Sequence, residues 1–547
     1  MRRFGLCLLA AMTMIGSVGA QTPTKPEAND GEHLGTVSFQ ISCIDSVRAP
    51  FNRGVALLHD FWYDEAERQF KKISSLDPSC AMAHWGAALS LYHQIWNRPD
   101  EKTLAEGREE LRKAASPAAK TERERAYIAA ADRFFKAGTE DYMSRVGAYS
   151  AAMADLYQHY PDDVDAGAFY ALSLLATEAP DDTSNETERK ALAVLDPLFA
   201  KFPDNPGIVH YTIHACDTPS LAQHGLAAAR HYSEIAYSGA HAVHMPGHIF
   251  ARLGMWPEDI RDQLASVQAS QAAMARHESD GMDQFHSDDF LVYAYLQMGD
   301  DASAKKIVDG TSALISHYDA MPHMGSFMRS MFPYYRAKFP VFYALETRDW
   351  KAAAALQPVP GAPPEDQMLT YWARIIAQGH LRRPAEAQAS FATHEALLEQ
   401  LKHGDHAYFA DSTGAKIAHG ELVAWVAFAE GRDDEALKNM RESADLQDKV
   451  GQGEVDIPAR EMLADMLLES RRPGEALVEY RRSLELSPNR FNGLYHAGRA
   501  AEGAGDAVEA RRYYAALLKS TDGNAQPPRP ELEHARQFLS SVKVASR

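Results

Sequence analysis

The feature that most constrains this chain is a spacing that recurs. Gly54, Ala66, Phe70 and Pro78 stand at positions 8, 20, 24 and 32 of a unit of about 34 residues, and Ala464, Ala476, Tyr480 and Pro488 occupy the same four positions again. The next unit supplies Gly498, Ala510 and Tyr514 with Gly505 at the turn, and Gly431 with Ala436 marks the corresponding turn one unit earlier. Small residues let two helices approach closely, the aromatic fills the gap between neighbours, and the proline ends the second helix. A chain written this way buries its apolar faces by stacking one helix pair on the next.

The spacing is that of the tetratricopeptide repeat (TPR). It predicts an all-α, TPR-type α-solenoid, a right-handed superhelix of helix pairs with a concave inner surface. Strand-like alternation of Val, Ile and Thr is scarce, so almost no sheet is expected. The expected organisation is a signal peptide at 1–20, an extended segment at 21–45, and repeat-like helices at 46–135. A central array with a His-rich groove follows at 136–356, then connecting helices at 357–410, C-terminal units at 411–520, and a helix or tail at 521–547. The Pro- and Gly-containing stretch from Gln357 to Pro364 reads as a loop.

Met1-Arg2-Arg3, the apolar run from Phe4 to Val18 and the small residues of Val18-Gly19-Ala20 match a secretory signal cleaved after Ala20. The apolar run is shorter than the roughly 20 residues a membrane span needs, and no later stretch is uniformly apolar for that length. The expected product is a soluble exported protein, periplasmic or secreted. Asp and Glu number 75 against 56 Lys and Arg, and the basic residues are scattered. Such a chain repels phosphates and anionic lipid surfaces, so neither nucleic acid nor a membrane is expected as partner. Cys7 leaves with the signal. An oxidising compartment permits a bridge between Cys43 and Cys80, which flank the first repeat; two buried thiols are the alternative.

Histidines crowd the stretch from Gly207 to Tyr295. On helices, His210, His214 and Asp217 share one face, and so do His241, His244 and His248. With Gly254 as repeat position 15, the second set falls on positions 2, 5 and 9. Gly299 likewise places His286, Asp289 and Tyr293 on those positions, which line the concave groove. His210, His214 and Asp217 fit positions 5, 9 and 12 of the same face. Three successive first helices then present imidazoles and carboxylates to one shared pocket. Neutral imidazole and carboxylate are the usual ligands of divalent Zn, Cu and Fe. The expected ligands are His210, His214, His241, His244 and His248, with Asp217, His286 and Asp289 as supporting or additional ligands.

Other residues read as structure. His224, His231 and His277 are expected outside the site, and Cys216 as a buried core thiol. Pro246 removes a helical hydrogen bond and is expected to bend its helix, splaying His244 and His248 toward a common point or following the curvature of the array. Met321-Pro322-His323-Met324 with Met328 and Met331 reads first as core filler, and second as a cuprous site. No GxSxG, HExxH, Walker-type or CxxCH motif is present. Acid/base catalysis by Asp217 or Asp289 beside a metal-bound water stays open.

The runs Gly54–His59, Cys80–Gly86, Pro488–Tyr495 and above all His241–Phe250, of the form HAxHMPxHIF, resemble those of a family of bacterial exported TPR proteins. The resemblance spans nearly the whole chain after the signal. It implies a bacterial source and a TPR fold, and supplies no reaction. Family sequences of this kind typically carry Ser where Gly247 stands and His-Pro where His93-Gln94 stands. Neither departure touches the inward histidines, though the second weakens any role for the His93 loop.

The leading reading is an exported TPR solenoid with a His/Asp-lined metal site in its central groove, open to a metal-dependent reaction. The alternatives are a metal-free groove that binds a peptide or protein partner, and a purely architectural scaffold.

Overall fold

Every second helix-to-helix turn in much of the chain closes in the same way. Phe61, Gly254, Gly299, Arg348, Arg382, Gly431, Arg471 and Gly505 all adopt φ between 52° and 78°, the left-handed region. The next backbone N–H returns to a carbonyl five residues back: Trp62 to Leu57 at 2.9 Å, Met255 to Phe250 at 2.8 Å, Arg383 to Gln378 at 3.0 Å, Asp506 to Ala501 at 2.9 Å. This closure satisfies carbonyls that a helix end would leave without partners and sets the two helices antiparallel. Phe70 explains the small residues. Its ring sits where a Cβ on Gly54 would come within 2.7 Å and one on Gly86 within 2.5 Å.

The computed structural model describes residues 31–545 apart from 96–97, 116–119, 137, 139–140, 180–181, 322–323, 405, 454 and 522–528. The expected signal peptide, the first residues of the 21–45 segment, and Pro322 and His323 of the methionine group lie outside the described residues. Residues from His33 onward form one unit. It is a TPR-type α-solenoid, without a strand among the described residues. No helix there is long and apolar enough to cross a membrane.

The segment from His33 to Ile44 is extended and pinned at several points. Gly35 N–H donates to Ile235 O at 2.9 Å, Phe39 packs on Phe51, Trp85 and Tyr127, and the Ser42 hydroxyl donates to Glu124 at 2.7 Å. Cys43 and Cys80 are joined in a disulfide with Cα atoms 5.0 Å apart. Cys216 is a free, buried thiol, and burial pushes it up to about 12.

Two regions depart from expectation. The 357–410 segment contains more than connectors: Pro364–His380 and Pro384–Leu401 form a repeat pair around the Arg382 turn, with Ala387 buried at position 20. Ile375 at position 8 and Glu399 at position 32, where the recognised units carry a small residue and proline, hid that register. The Arg382 guanidinium lies over the Phe428 ring and donates to Asp433 at 2.7 Å, reaching the next unit's turn. Pro246 stands at the first turn of a second helical stretch. Ala240–His244 and Pro246–Arg252 meet at Met245, whose φ of −55° and ψ of −37° keep the backbone helical.

The middle and C-terminal units also touch directly. Trp256 Nε1 donates to Asn489 O at 2.8 Å, and Asn489 Nδ2 donates to Gly254 O at 3.1 Å. The buried guanidinium of Arg490 donates to Glu346 at 2.8 Å and to Glu461 at 2.9 Å. Arg529 pairs with Asp301.

Candidate metal centre

The histidines are carried by three neighbouring helical stretches. Pro206–Cys216 begins with proline at its first turn, and the Asn205 side chain caps it by accepting from Ile208 N–H at 3.2 Å. It carries His210 and His214. Ala240–His244 and Pro246–Arg252 carry His241, His244 and His248, and Met282–Gln297 carries His286 and Asp289.

These residues form two triads, where the repeat register predicted one shared pocket. His210, His214 and His241 make one, and His244, His248 and His286 the other; in each, the possible ligand atoms lie within 4.8 Å of one another. Helical geometry supplies the reason. Three residues advance a helix by one short turn and rotate it by roughly 60° from a full revolution. His241 therefore faces back to the preceding unit while His244 faces on to the next. Their ring centroids are 6.0 Å apart, so the triads are adjacent.

In the second triad the hydrogen bonds place a proton on Nδ1 of His244 and of His248. Gln263 Nε2 donates to Asp259 Oδ1 at 3.0 Å and to His244 O at 3.3 Å, two groups that only accept. Its Oε1 must then face His244 Nδ1, 2.6 Å away, which donates. Likewise His248 Nδ1 donates to Asp217 Oδ2 at 2.9 Å. With Nδ1 of each ring bonded outward, the two Nε2 atoms face each other 2.9 Å apart. The His286 ring completes the group, with its centroid 4.3 Å from that of His244. Gly247 makes room for this arrangement: a Cβ there would run into Gln263 Nε2 and lie 2.6 Å from Asp259 Oδ1.

The first triad is more deeply enclosed. His210 Nδ1 donates to the His59 carbonyl at 2.6 Å, leaving Nε2 as an acceptor. The Nε2 atoms of His210 and His214 are buried with no hydrogen-bond partner among the described residues. Burial pushes His210 down to about 3, and His214 and His241 well below the usual imidazole range. The rings are thus held neutral, the form that ligates metal. Behind them His59 is fixed by Tyr211 at 2.9 Å and Asp165 at 3.1 Å. Phe61 stacks on His214 and His241, with ring centroids 5.5 Å from each.

The carboxylates take different places. Asp217 bridges His248 and Arg252, 2.9 Å from each, as an orienting partner. Asp289, expected near the ligands, is ion-paired with Lys338 at 2.5 Å, because a buried ammonium needs a counter-ion. His224 and His231 bond to Asp196 and Asp204 away from both triads. Met324 and Met328 are buried in the core. Gln263, Asp259, His59 and Phe61 escaped the sequence reading. Gln263 and Asp259 sit four residues apart on the second helix of the same unit, a spacing that places both on one face.

No family model matches the sequence, and no curated relative matches it. Among solved structures the chain is similar to the TPR domain of P58(IPK), at 16% identity over 70% of this chain and 99% of that one, with a TM-score of 0.21. It is also similar to yeast Tom70, at 11% identity over 91% and 96% with a TM-score of 0.32, and to the Cut9-Hcn1 hetero-tetramer of APC/C, at 12% over 90% and 89% with a TM-score of 0.32.

Proposed function

We propose that this chain is an exported metal-binding TPR protein whose transition-metal centre rests on His244, His248 and His286. The observation that carries the reading is the pair of Nε2 atoms facing each other at 2.9 Å, each turned inward by a fixed acceptor on its own Nδ1. Two lone pairs at that distance repel unless something positive lies between them. Imidazole nitrogens bound tetrahedrally at about 2.0–2.1 Å sit roughly 3.3 Å apart, so a small opening of the pair admits Zn, Cu or Fe.

Asp217 behind His248 is the carboxylate–histidine arrangement that orients a ligand and raises its basicity. Three protein ligands leave a coordination position for water or substrate, which suits a metal-dependent reaction more than a closed structural site. The His210, His214 and His241 triad offers the same donor set one turn away. A Cys43–Cys80 bridge suits the oxidising compartment that the N-terminal signal implies.

Metal analysis of untagged protein, alongside a His244→Ala/His248→Ala variant that retains its helical content, tests the proposal. Near-stoichiometric metal in the wild type and its loss in the variant support the centre. Failure of the wild type to load after incubation with Zn, Cu or Fe(II) overturns it, with a proton shared between the two rings as the remaining account. The groove is then to be screened against peptides.

A further inference from the structure

A cavity of about 570 Å³, within the usual size range of small-ligand sites, lies among the helices Ser326–Glu346, Pro364–His380 and Thr413–Ala429 and the loop before Ala459. Phe342 and Trp372 stand in its wall with ring centroids 6.4 Å apart and planes 30° from parallel, and Leu369 and Ile417 add apolar surface. Glu421 also lines it. That residue is only 3% exposed, and its Oε2 accepts from Trp372 Nε1 at 2.8 Å. Among the described residues no other group donates to its carboxylate. Asp456 brings a second acid, whose side chain, among the described residues, accepts the backbone N–H of Ile457 at 2.8 Å.

The cations nearby are committed elsewhere. No lysine or arginine lines the cavity among the described residues. Lys338, which lies over the Phe342 ring, is paired with Asp289, and the Arg490 guanidinium is held by Glu346 and Glu461. A carboxyl group enclosed without a cation is costly to ionise, and burial pushes Glu421 up to about 8; burial raises Asp456 to about 6, with the Ile457 N–H and the charges of Lys338 and Arg490 pulling the other way. A cation entering the cavity removes that cost, and an aromatic wall beside two acids favours a positive group carried on an apolar body.

We propose that this cavity binds a small organic ammonium group, with Glu421 as its counter-ion and the Phe342 and Trp372 rings against its carbon chain. The group belongs to a free amine or to a lysine side chain on a peptide; the chemistry at the cavity is the same. The inference stands on residues separate from both histidine triads and does not depend on metal.

The test is calorimetric titration of the full chain with 1,5-diaminopentane, with Nα-acetyl-lysine N-methylamide, and with neutral 1-pentanol. Glu421→Gln keeps an oxygen for Trp372 Nε1 while removing the charge. Saturable binding of an ammonium probe is expected, weakened at least tenfold in Glu421→Gln, with 1-pentanol at least tenfold weaker than the amines and chelation of metal without effect. Binding of the diamine alone identifies a free amine as the ligand, and binding of the lysine derivative extends the site to peptides. Phe342→Leu provides a second variant, expected to weaken the amines several-fold. The proposal fails if neither amine binds the wild type, if 1-pentanol binds as well as they do, or if a folded Glu421→Gln variant binds them undiminished.

Discussion

Gln263 holds His244 in a single tautomer: its Oε1 lies 2.6 Å from Nδ1, and its own amide protons are spent on Asp259 and the His244 carbonyl. Gln263→Ala removes that acceptor and frees the ring. Loss of such a supporting partner typically lowers metal affinity about 10–100-fold. Gly247→Ala pushes on the same amide and is expected to act through it. The double variant should then bind metal about as weakly as the worse single one, because the two changes break one contact. Competition against a chelator of known affinity measures all three, and strict additivity contradicts the shared route.

Phe61 holds a left-handed backbone where half of the equivalent turns use glycine. That conformation costs a non-glycine residue about 1–2 kcal/mol, whereas truncating a buried aromatic costs about 3–5 kcal/mol. Phe61→Gly relieves the first and incurs the second, for a net loss of about 1–4 kcal/mol. Arg471, exposed at the same turn position, is the control. Arg471→Gly should leave stability unchanged or raise it by up to about 1 kcal/mol. Urea unfolding of the metal-free protein separates the two, and equal effects refute the packing role given to Phe61.

Glu421 makes stability depend on pH in a definite direction. Its folded-state value of about 8 lies above the roughly 4.3 of an unfolded glutamate, so the folded chain holds this proton more tightly. Its contribution is complete below about pH 4.3 and disappears as pH rises through 8. The Glu421→Gln difference in unfolding free energy, measured from pH 5 to 9 without amine, should trace that decline. A difference that is flat over the range removes the buried-carboxyl account.

The Cys43–Cys80 bridge closes a loop over a sequence separation of 37 around the first repeat. Replacing both cysteines with serine should cost about 2–4 kcal/mol. Reduction of the wild type should bring it to the same unfolding midpoint, and a midpoint insensitive to reductant shows that the bridge does not support the fold.

The repeat and the shared helix faces of the histidines were legible because both depend on local periodicity. Gly54, Ala66 and Phe70 declare a helix pair by spacing alone, and the spacing of His241, His244 and His248 declares a shared face. The division into two triads was not legible, because it depends on which neighbouring helix each ring meets. The Pro364–Leu401 pair escaped since Ile375 and Glu399 stand where the recognised units have a small residue and proline. Gln263 and Asp259 carry no motif, and their role appears only once Gly247 brings a helix against them. Asp289 was drawn toward the metal ligands by its register, yet Lys338, far along the chain, supplies the charge it meets.

The contacts of Trp256 with Asn489 and of Arg490 with Glu346 have a consequence for how the chain comes apart. In an array where each repeat touches only its neighbours, units can be peeled away one by one from either end. Here the penultimate repeats are clasped to the middle of the chain, so fraying from the C-terminus is opposed by bonds formed more than a hundred residues upstream. Unfolding of the segment from Gly254 to Arg529 is therefore expected as a concerted event, and a chain shortened before Asn489 loses more than the repeats that were cut away.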